Sequence, residues 1–212
     1  MLQRLRFENR EEWLEGRTAG IGASDAAAVI GQSPWMTIVQ LWRQKIGADM
    51  PKEMNANAAI EKGNRMEPAL RTMFAAMNPD TTVEYYQFDI LSQSERPWLR
   101  ATLDGELTDS QGRKGILEIK TSTPNSAAGW AKWKDAVPTN YYAQVLHQLL
   151  ATGWDYVILF ACLFGSDGDA TLRSYRFEKN ELLDEMEWLL NEETSFWGFV
   201  QSGTMPPVKI IF

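Results

Sequence analysis

Two charged residues inside an apolar strand constrain this chain more than any other feature. Gly115-Ile116-Leu117-Glu118-Ile119-Lys120-Thr121 reads as a β-strand. Leu99 to Leu107, which carries Leu103-Asp104-Gly105, reads as its neighbour across the turn-rich Thr108 to Gly115. Strand side chains alternate between faces, so Glu118 and Lys120 point the same way, roughly 7 Å apart along the backbone, and Ile119 turns to the core. A hairpin that sets Asp104 beside Glu118 gathers two carboxylates and one ammonium in a small volume. An exposed cross-strand ion pair is the plainer account of Glu118 and Lys120. The apolar neighbours favour a central strand instead, where isolated charges are disfavoured unless they serve a site.

Carboxylate oxygens suit hard cations such as Mg²⁺, with Mn²⁺ as a substitute. A lysine beside such an ion can orient or deprotonate a water. Hydrolysis of a phosphodiester needs that combination, so a nuclease is the leading expectation. Composition narrows the field. A chain of 212 residues, 44% hydrophobic and 23% charged, suffices for one domain with a sizeable core, and residues 1–212 are read as a single domain. Cys162 and His147 are the only residues of their kinds, which excludes an internal disulfide, iron–sulfur clusters and zinc sites built on several histidines. The first residues lack a signal-peptide core, and no apolar run reaches membrane-spanning length, the nearest being Tyr156 to Phe164. A cytoplasmic protein without a membrane partner is expected. The net charge of −7 argues against coating nucleic acid over the whole surface, but not against a local basic groove.

No repeat or long linker divides the chain. Helices are expected over Glu11 to Arg17, Ser24 to Ile30, Thr37 to Ile46, Ala58 to Met77, Thr139 to Thr152 and Glu178 to Val200. Val83 to Leu91, Leu99 to Leu107 and Gly115 to Thr121 are expected as a three-stranded meander, with further strands at Tyr156 to Phe164 and Thr171 to Phe177. This order predicts an α/β fold, a central mixed sheet flanked by helices. Met50 to Asn57 is left undefined. The tail Thr204 to Phe212 ends in apolar residues for which burial is the default and a subunit contact a hypothesis.

Four segments can be placed around the hairpin. Arg17 to Asp25 combines glycines, a forked donor and Ser24 at a helix start, a pattern suited to an anion but also to an ordinary capped loop. Asp25 opposes an anion unless it serves the cap. Glu67 lies in a helical pattern near Glu61 and Arg71, where a carboxylate can complete a metal shell, although most helix glutamates are only solvated. Gln144, His147 and Gln148 share a helical face that can meet phosphates, with His147 read as a hydrogen-bonded structural residue. Thr102, two residues before Asp104, is expected on the same strand face.

The ordered set resembles the lambda-exonuclease-like, phage-type (viral alkaline) exonuclease family, or YqaJ-like viral recombinase family, of the PD-(D/E)XK superfamily. The likeness spans about Arg17 to Gly153. It is carried by Gly20 to Asp25, by Ser33-Pro34-Trp35 with Leu41-Trp42 and Lys45-Ile46-Gly47, and by Gly63 to Pro68. Ala101 to Gly105, Leu117 to Thr121 and Tyr142 to Gln148 complete it. Leu103-Asp104 replaces the Pro-Asp that names the fold, and proline is no ligand. The resemblance implies that Asp104 binds or bridges Mg²⁺ ions, that Glu118 and the Ile119 carbonyl hold the first, that Lys120 positions or deprotonates the attacking water, and that Glu67 supports the metals. Arg17, Ser24, Thr102 and Gln144 match positions that grip a terminal 5′-phosphate. It further implies degradation of one strand of double-stranded DNA from 5′ ends, a homotrimeric ring, a single-strand annealing partner, and a phage or prophage gene expressed in a bacterial cytoplasm. Three alternatives stay open: an endonuclease of the same fold, a non-catalytic DNA-end binder, and an unrelated carboxylate–metal hydrolase.

Overall fold

The computed structural model describes residues 1–49 and 58–208, and these described residues form nine strands and seven α-helices. They run β1 (Leu2–Arg6), α1 (Arg10–Thr18), β2 (Ile21–Gly22), α2 (Ala26–Val29), α3 (Ile38–Lys45), α4 (Ala58–Met77), β3 (Thr82–Glu84), β4 (Asp89–Gln93) and β5 (Arg96–Ala101). β6 (Gly105–Thr108), β7 (Lys114–Ser122), α5 (Ala127–Ala131), α6 (Thr139–Thr152), β8 (Tyr156–Phe164), β9 (Ala170–Glu178) and α7 (Leu183–Ser202) follow. Met50 to Asn57 and the tip of the tail, 209–212, lie outside the described residues.

β8 explains the layering. It is apolar at every position because both its faces are covered. Val157, Leu159, Ala161 and Leu163 join a core with Val145 and Leu149 of α6 and Leu189 of α7. Tyr156, Ile158, Phe160 and Cys162 join a second core with Leu70 and Phe74 of α4. β8 pairs in parallel with β7, with Glu118 opposite Leu159 and Lys120 opposite Ala161. Ile116 belongs to the α6-side core, whereas Leu117 and Ile119 belong to the α4-side core. By alternation, Glu118 and Lys120 therefore face α6.

The expected single sheet is two. One has the order β3-β6-β7-β8-β9, the other β1-β4-β5-β2. The strands expected at Val83 to Leu91 and Leu99 to Leu107 each divide, one part going to each sheet. The first breaks at Phe88, whose φ of 63° makes it the one positive-φ residue other than glycine among those described. The second breaks over Thr102 to Asp104, so Thr102 and Asp104 do not share a strand face. β1 and α5 were not expected. β1 completes its sheet antiparallel to β4. The long helices α4 and α6 have the expected limits, α6 closing on Gly153 at φ 71°. Glu178 closes β9 rather than opening the last helix, which begins at Leu183.

Candidate active site

The site forms where β6 parts from β7. Gly105 opposite Leu117 is the last pair of their ladder, so β6 offers no partner beyond it. The Ile119 N–H instead donates to Asp104 Oδ2 at 2.7 Å, fixing the carboxylate of a residue that lies in no strand. On either side of Ile119, Lys120 and Glu118 pair, with Nζ reaching Oε1 at 2.5 Å. Helix α6 supplies the rest: Gln144 Nε2 donates to Glu118 Oε1 at 2.6 Å and Gln148 Nε2 to Glu118 Oε2 at 2.5 Å. Glu118 is 2% exposed, and these three donors are what make its burial tolerable. Gln148, fully buried, turns to Glu118 and not to a groove, which corrects the expectation for that position.

Glu67 joins from α4. Arg71 Nη2 donates to Glu67 Oε1 at 2.5 Å, and Arg71 Nε to the Asp104 carbonyl at 2.5 Å, so one guanidinium ties the helix to the Asp104 segment. Burial drives the Asp104 carboxyl well above its ordinary range, and the charges of Glu118 and Glu67 push it further. Burial, opposed by Arg71 but reinforced by Glu118, also raises Glu67. For Lys120 burial acts downward, but Glu118 and Asp104 outweigh it and hold the ammonium above the usual lysine range. Three carboxylates thus face two cations, Lys120 and Arg71.

Among the described residues no three Asp, Glu, His or Cys side chains are already spaced around an ion. The donor set nonetheless fits a hard cation: clustered carboxylate oxygens in excess of positive charge, mutually repelling, with the Ile119 carbonyl in the same strand. Glu118 would offer a lone pair once Lys120 shifted from Oε1.

Beside this cluster a cavity of about 50 Å³ is lined by Arg17, Ser24, Thr102, Gln144 and Arg100, with Gly22, Ala23 and Ile90 completing its wall. Gln144 belongs to both places, since it lines the cavity and bonds Glu118. Arg17 Nη2 lies 3.5 Å from Ser24 Oγ, and its guanidinium rests 4.7 Å from the Trp13 ring centre. Ser24 sits in the 3-10 turn Ala23–Asp25 and caps no helix. Asp25 closes that turn, accepting from the Gly22 N–H at 2.9 Å and pairing with Lys45 at 2.7 Å. Burial would raise its carboxyl, but Lys45 outweighs this and its pKa falls below the ordinary value, so its charge is answered away from the cavity.

His147 is buried as expected, with Nδ1 2.7 Å from Glu193 Oε1 and Nε2 2.9 Å from the Arg100 carbonyl. Arg100 is the residue that reading by motif missed; Gln148 and Lys45 lie in the quoted motifs, but their partners, Glu118 and Asp25, were not read from them. The signal for Arg100 was its place two positions before Thr102, and that for Gln148 its place one helical turn after Gln144.

The fold and this carboxylate–lysine cluster define the class. Two solved structures share the architecture. The alkaline exonuclease LHK-Exo of Laribacter hongkongensis superposes with a TM-score of 0.66 at 20% identity, covering 92% of this chain and 94% of its own. A phage-related exonuclease of Haemophilus somnus 129PT gives 0.56 at 13% identity, over 87% and 96%. The fold is therefore the PD-(D/E)XK nuclease fold of the phage-type exonucleases. Residues 12–155 match the YqaJ-like viral recombinase domain, and the chain belongs to that family. It is also similar to YqaJ of Bacillus subtilis (strain 168), at 29% identity over 202 residues, and spans 59% of that protein's length.

Proposed function

We propose that this chain is a metal-dependent 5′-to-3′ exodeoxyribonuclease. It removes one strand of linear double-stranded DNA from its ends, prefers 5′-phosphorylated ends, and serves phage-type recombination by single-strand annealing. The observation that carries the reading is the double role of Gln144. One side chain borders both the carboxylate–lysine cluster and the guanidinium–hydroxyl cavity. A terminal phosphate seated between Arg17, Ser24, Thr102 and Gln144 would hold the neighbouring phosphodiester against Asp104, Glu118 and Lys120. An enzyme that cuts internally has no use for such an adjacent end-binding cavity.

Asp104, Glu118, the Ile119 carbonyl and Glu67 would hold Mg²⁺, or Mn²⁺ in its place. Metal bound by these residues would supply charge stabilisation at both the attacking and the leaving oxygen of an in-line displacement. The chain's own residues do the positioning. Asp104 is anchored by the Ile119 N–H, and Glu118 is aligned by two glutamine amides. Lys120, held as an ammonium by its carboxylates, orients a water by donating to it. The Arg71 bridge keeps Glu67 on the Asp104 segment. The proposal extends to a homotrimeric ring and to a single-strand annealing partner, both from the family likeness.

The test is a Mg²⁺ titration of cleavage on linear duplex DNA, with and without 5′-phosphates, beside a closed circle. Loss of linear DNA from its 5′ ends, with circles spared, is expected. Cutting of circles would replace the exonuclease by an endonuclease of the same fold. No metal-dependent cleavage at all would leave a DNA-end binder.

A further inference from the structure

Arg100 is the second arginine lining the cavity, and no carboxylate pairs with it among the described residues. Its Nε donates to the Pro97 carbonyl at 3.0 Å and its Nη1 to the Gly16 carbonyl, both neutral acceptors. A guanidinium carries five N–H hydrogens, so three remain. Among the described residues neither Arg100 nor Arg17 forms an ion pair. Burial alone lowers the Arg100 pKa, with no carboxylate acting on it; burial also lowers that of Arg17, with Asp25 and Asp104 acting against it without forming an ion pair. The placement is also built from behind. The Arg100 carbonyl accepts from buried His147, and the side-chain stem runs against Gly20, where a Cβ would lie 2.9 Å from Cδ.

A partly buried cation left without a counter-ion is costly, and two around one cavity are more so. Such a pair is explained by an anion that arrives from outside. A cavity able to take a water needs about 10–15 Å³, so one of about 50 Å³ admits several waters or one tetrahedral oxyanion. Phosphate monoesters carry about −1.5 to −2 at pH 7, whereas an internal diester carries a single charge. Two forked cations, two hydroxyls and one amide match the monoester.

We propose that Arg100 is a specificity-determining residue for the terminal phosphate, acting with Arg17 so that two guanidiniums, not one, distinguish a 5′-phosphate monoester from a 5′-hydroxyl end. The proposal rests on the reading of this cavity as the end-phosphate site. It also separates Arg100 from a mere staple between the Gly16 and Pro97 carbonyls, which would affect all substrates alike.

The experiment measures kcat/KM on one linear duplex bearing either a 5′-phosphate or a 5′-hydroxyl, and reads their ratio in wild type, Arg100→Gln, Arg100→Lys and Arg17→Ala. The ratio should fall roughly tenfold or more in Arg100→Gln, the size of a lost charge-assisted hydrogen bond. It should fall less in Arg100→Lys, which keeps the charge but not the fork. If Arg100→Gln shows no cooperative melting transition, the lysine variant decides, and a wild-type ratio there overturns the proposal. An unchanged ratio in both Arg100 variants with a collapsed ratio in Arg17→Ala overturns the role of Arg100 and leaves the end-phosphate cavity standing. A wild-type enzyme that degrades both ends equally overturns the cavity reading and this proposal with it.

Discussion

Lys120 reaches a carboxylate 2.5 Å away that also takes two glutamine amides, so its role can be separated from folding. Removing its amine leaves Glu118 bonded to Gln144 and Gln148. Lys120→Ala should cut the rate of cleavage by about 10²–10⁴, the usual worth of a group that handles a proton, and leave duplex binding in a gel-shift assay within a few-fold. Near-normal turnover would place the chemistry elsewhere. His147 supports a second residue-level prediction. The Arg100 carbonyl can only accept, so Nε2 carries a proton, and Glu193 as a carboxylate makes Nδ1 a donor too. Burial opposes this charge, but Glu193 outweighs it and raises the histidine pKa. A raised folded-state pKa contributes stability fully below the unfolded value of about 6.5 and loses it as pH rises through the folded value. The unfolding free energy of Glu193→Gln should therefore lag wild type most near pH 6, by on the order of 1–3 kcal/mol, and the gap should narrow in alkaline buffer. A gap independent of pH would mean that the pair is not ionised. The charged residues were legible one by one because strand alternation and donor chemistry are local rules. Arg71 on the Asp104 carbonyl and Arg100 at the cavity were not, because each contact joins segments far apart in the chain.

Between elements, the tightest constraint is the parallel pairing of β2 with β5, Ile21 beside Leu99 and Gly22 beside Arg100. It brings the Arg17 loop to the cavity, and Gly20 permits it. A Cβ there would strike the Trp98 carbonyl oxygen, which is backbone and cannot swing aside. Gly20→Ala should destabilise the protein by about 1–3 kcal/mol in denaturant unfolding. It should also weaken the preference for phosphorylated ends, because Arg17, in the last turn of α1 just before β2, and Arg100, on β5, lie on the two segments being forced apart. Wild-type stability in that variant would show that the approach is looser than described. Helices α4 and α6 were legible to the residue, since their apolar periodicity and the Pro79 and Gly153 stops are sequence signals. The division of one sheet into two was not. No glycine or proline marks the break at Phe88, whose left-handed backbone is rare for an aromatic residue and is backed by Trp13 at a ring-centre distance of 6.0 Å. Likewise Thr102 to Asp104 leave the ladder because the Asp104 carboxylate replaces a strand partner, an exchange decided by tertiary contacts.

Across the chain as a whole, charge limits how it could stay on DNA under the proposed function. A net charge of −7 leaves little long-range attraction for a polyanion, and under the proposed function Arg17 and Arg100 would serve a single phosphate. An enzyme that binds DNA by counter-ion release alone would need many more such contacts to remain bound through successive cuts. Enclosure by several copies achieves the same end without them. Among the described residues seven large apolar side chains are at least half exposed, and Trp35, Leu183, Trp188, Met205 and Val208 among them offer material for contacts between copies. The apolar tip of the tail, 209–212, the one oligomer signal in the sequence, lies outside the described residues. Sedimentation equilibrium should give about three times the 24.1 kDa of one chain. In the same buffer, a single enzyme challenged with excess competitor DNA should complete its run on the strand it began, and moderate salt should slow loading more than it shortens the run. A chain that sediments as a monomer and releases DNA after each cut would remove the ring and leave a distributive exonuclease, with the carboxylate site and the phosphate cavity unchanged.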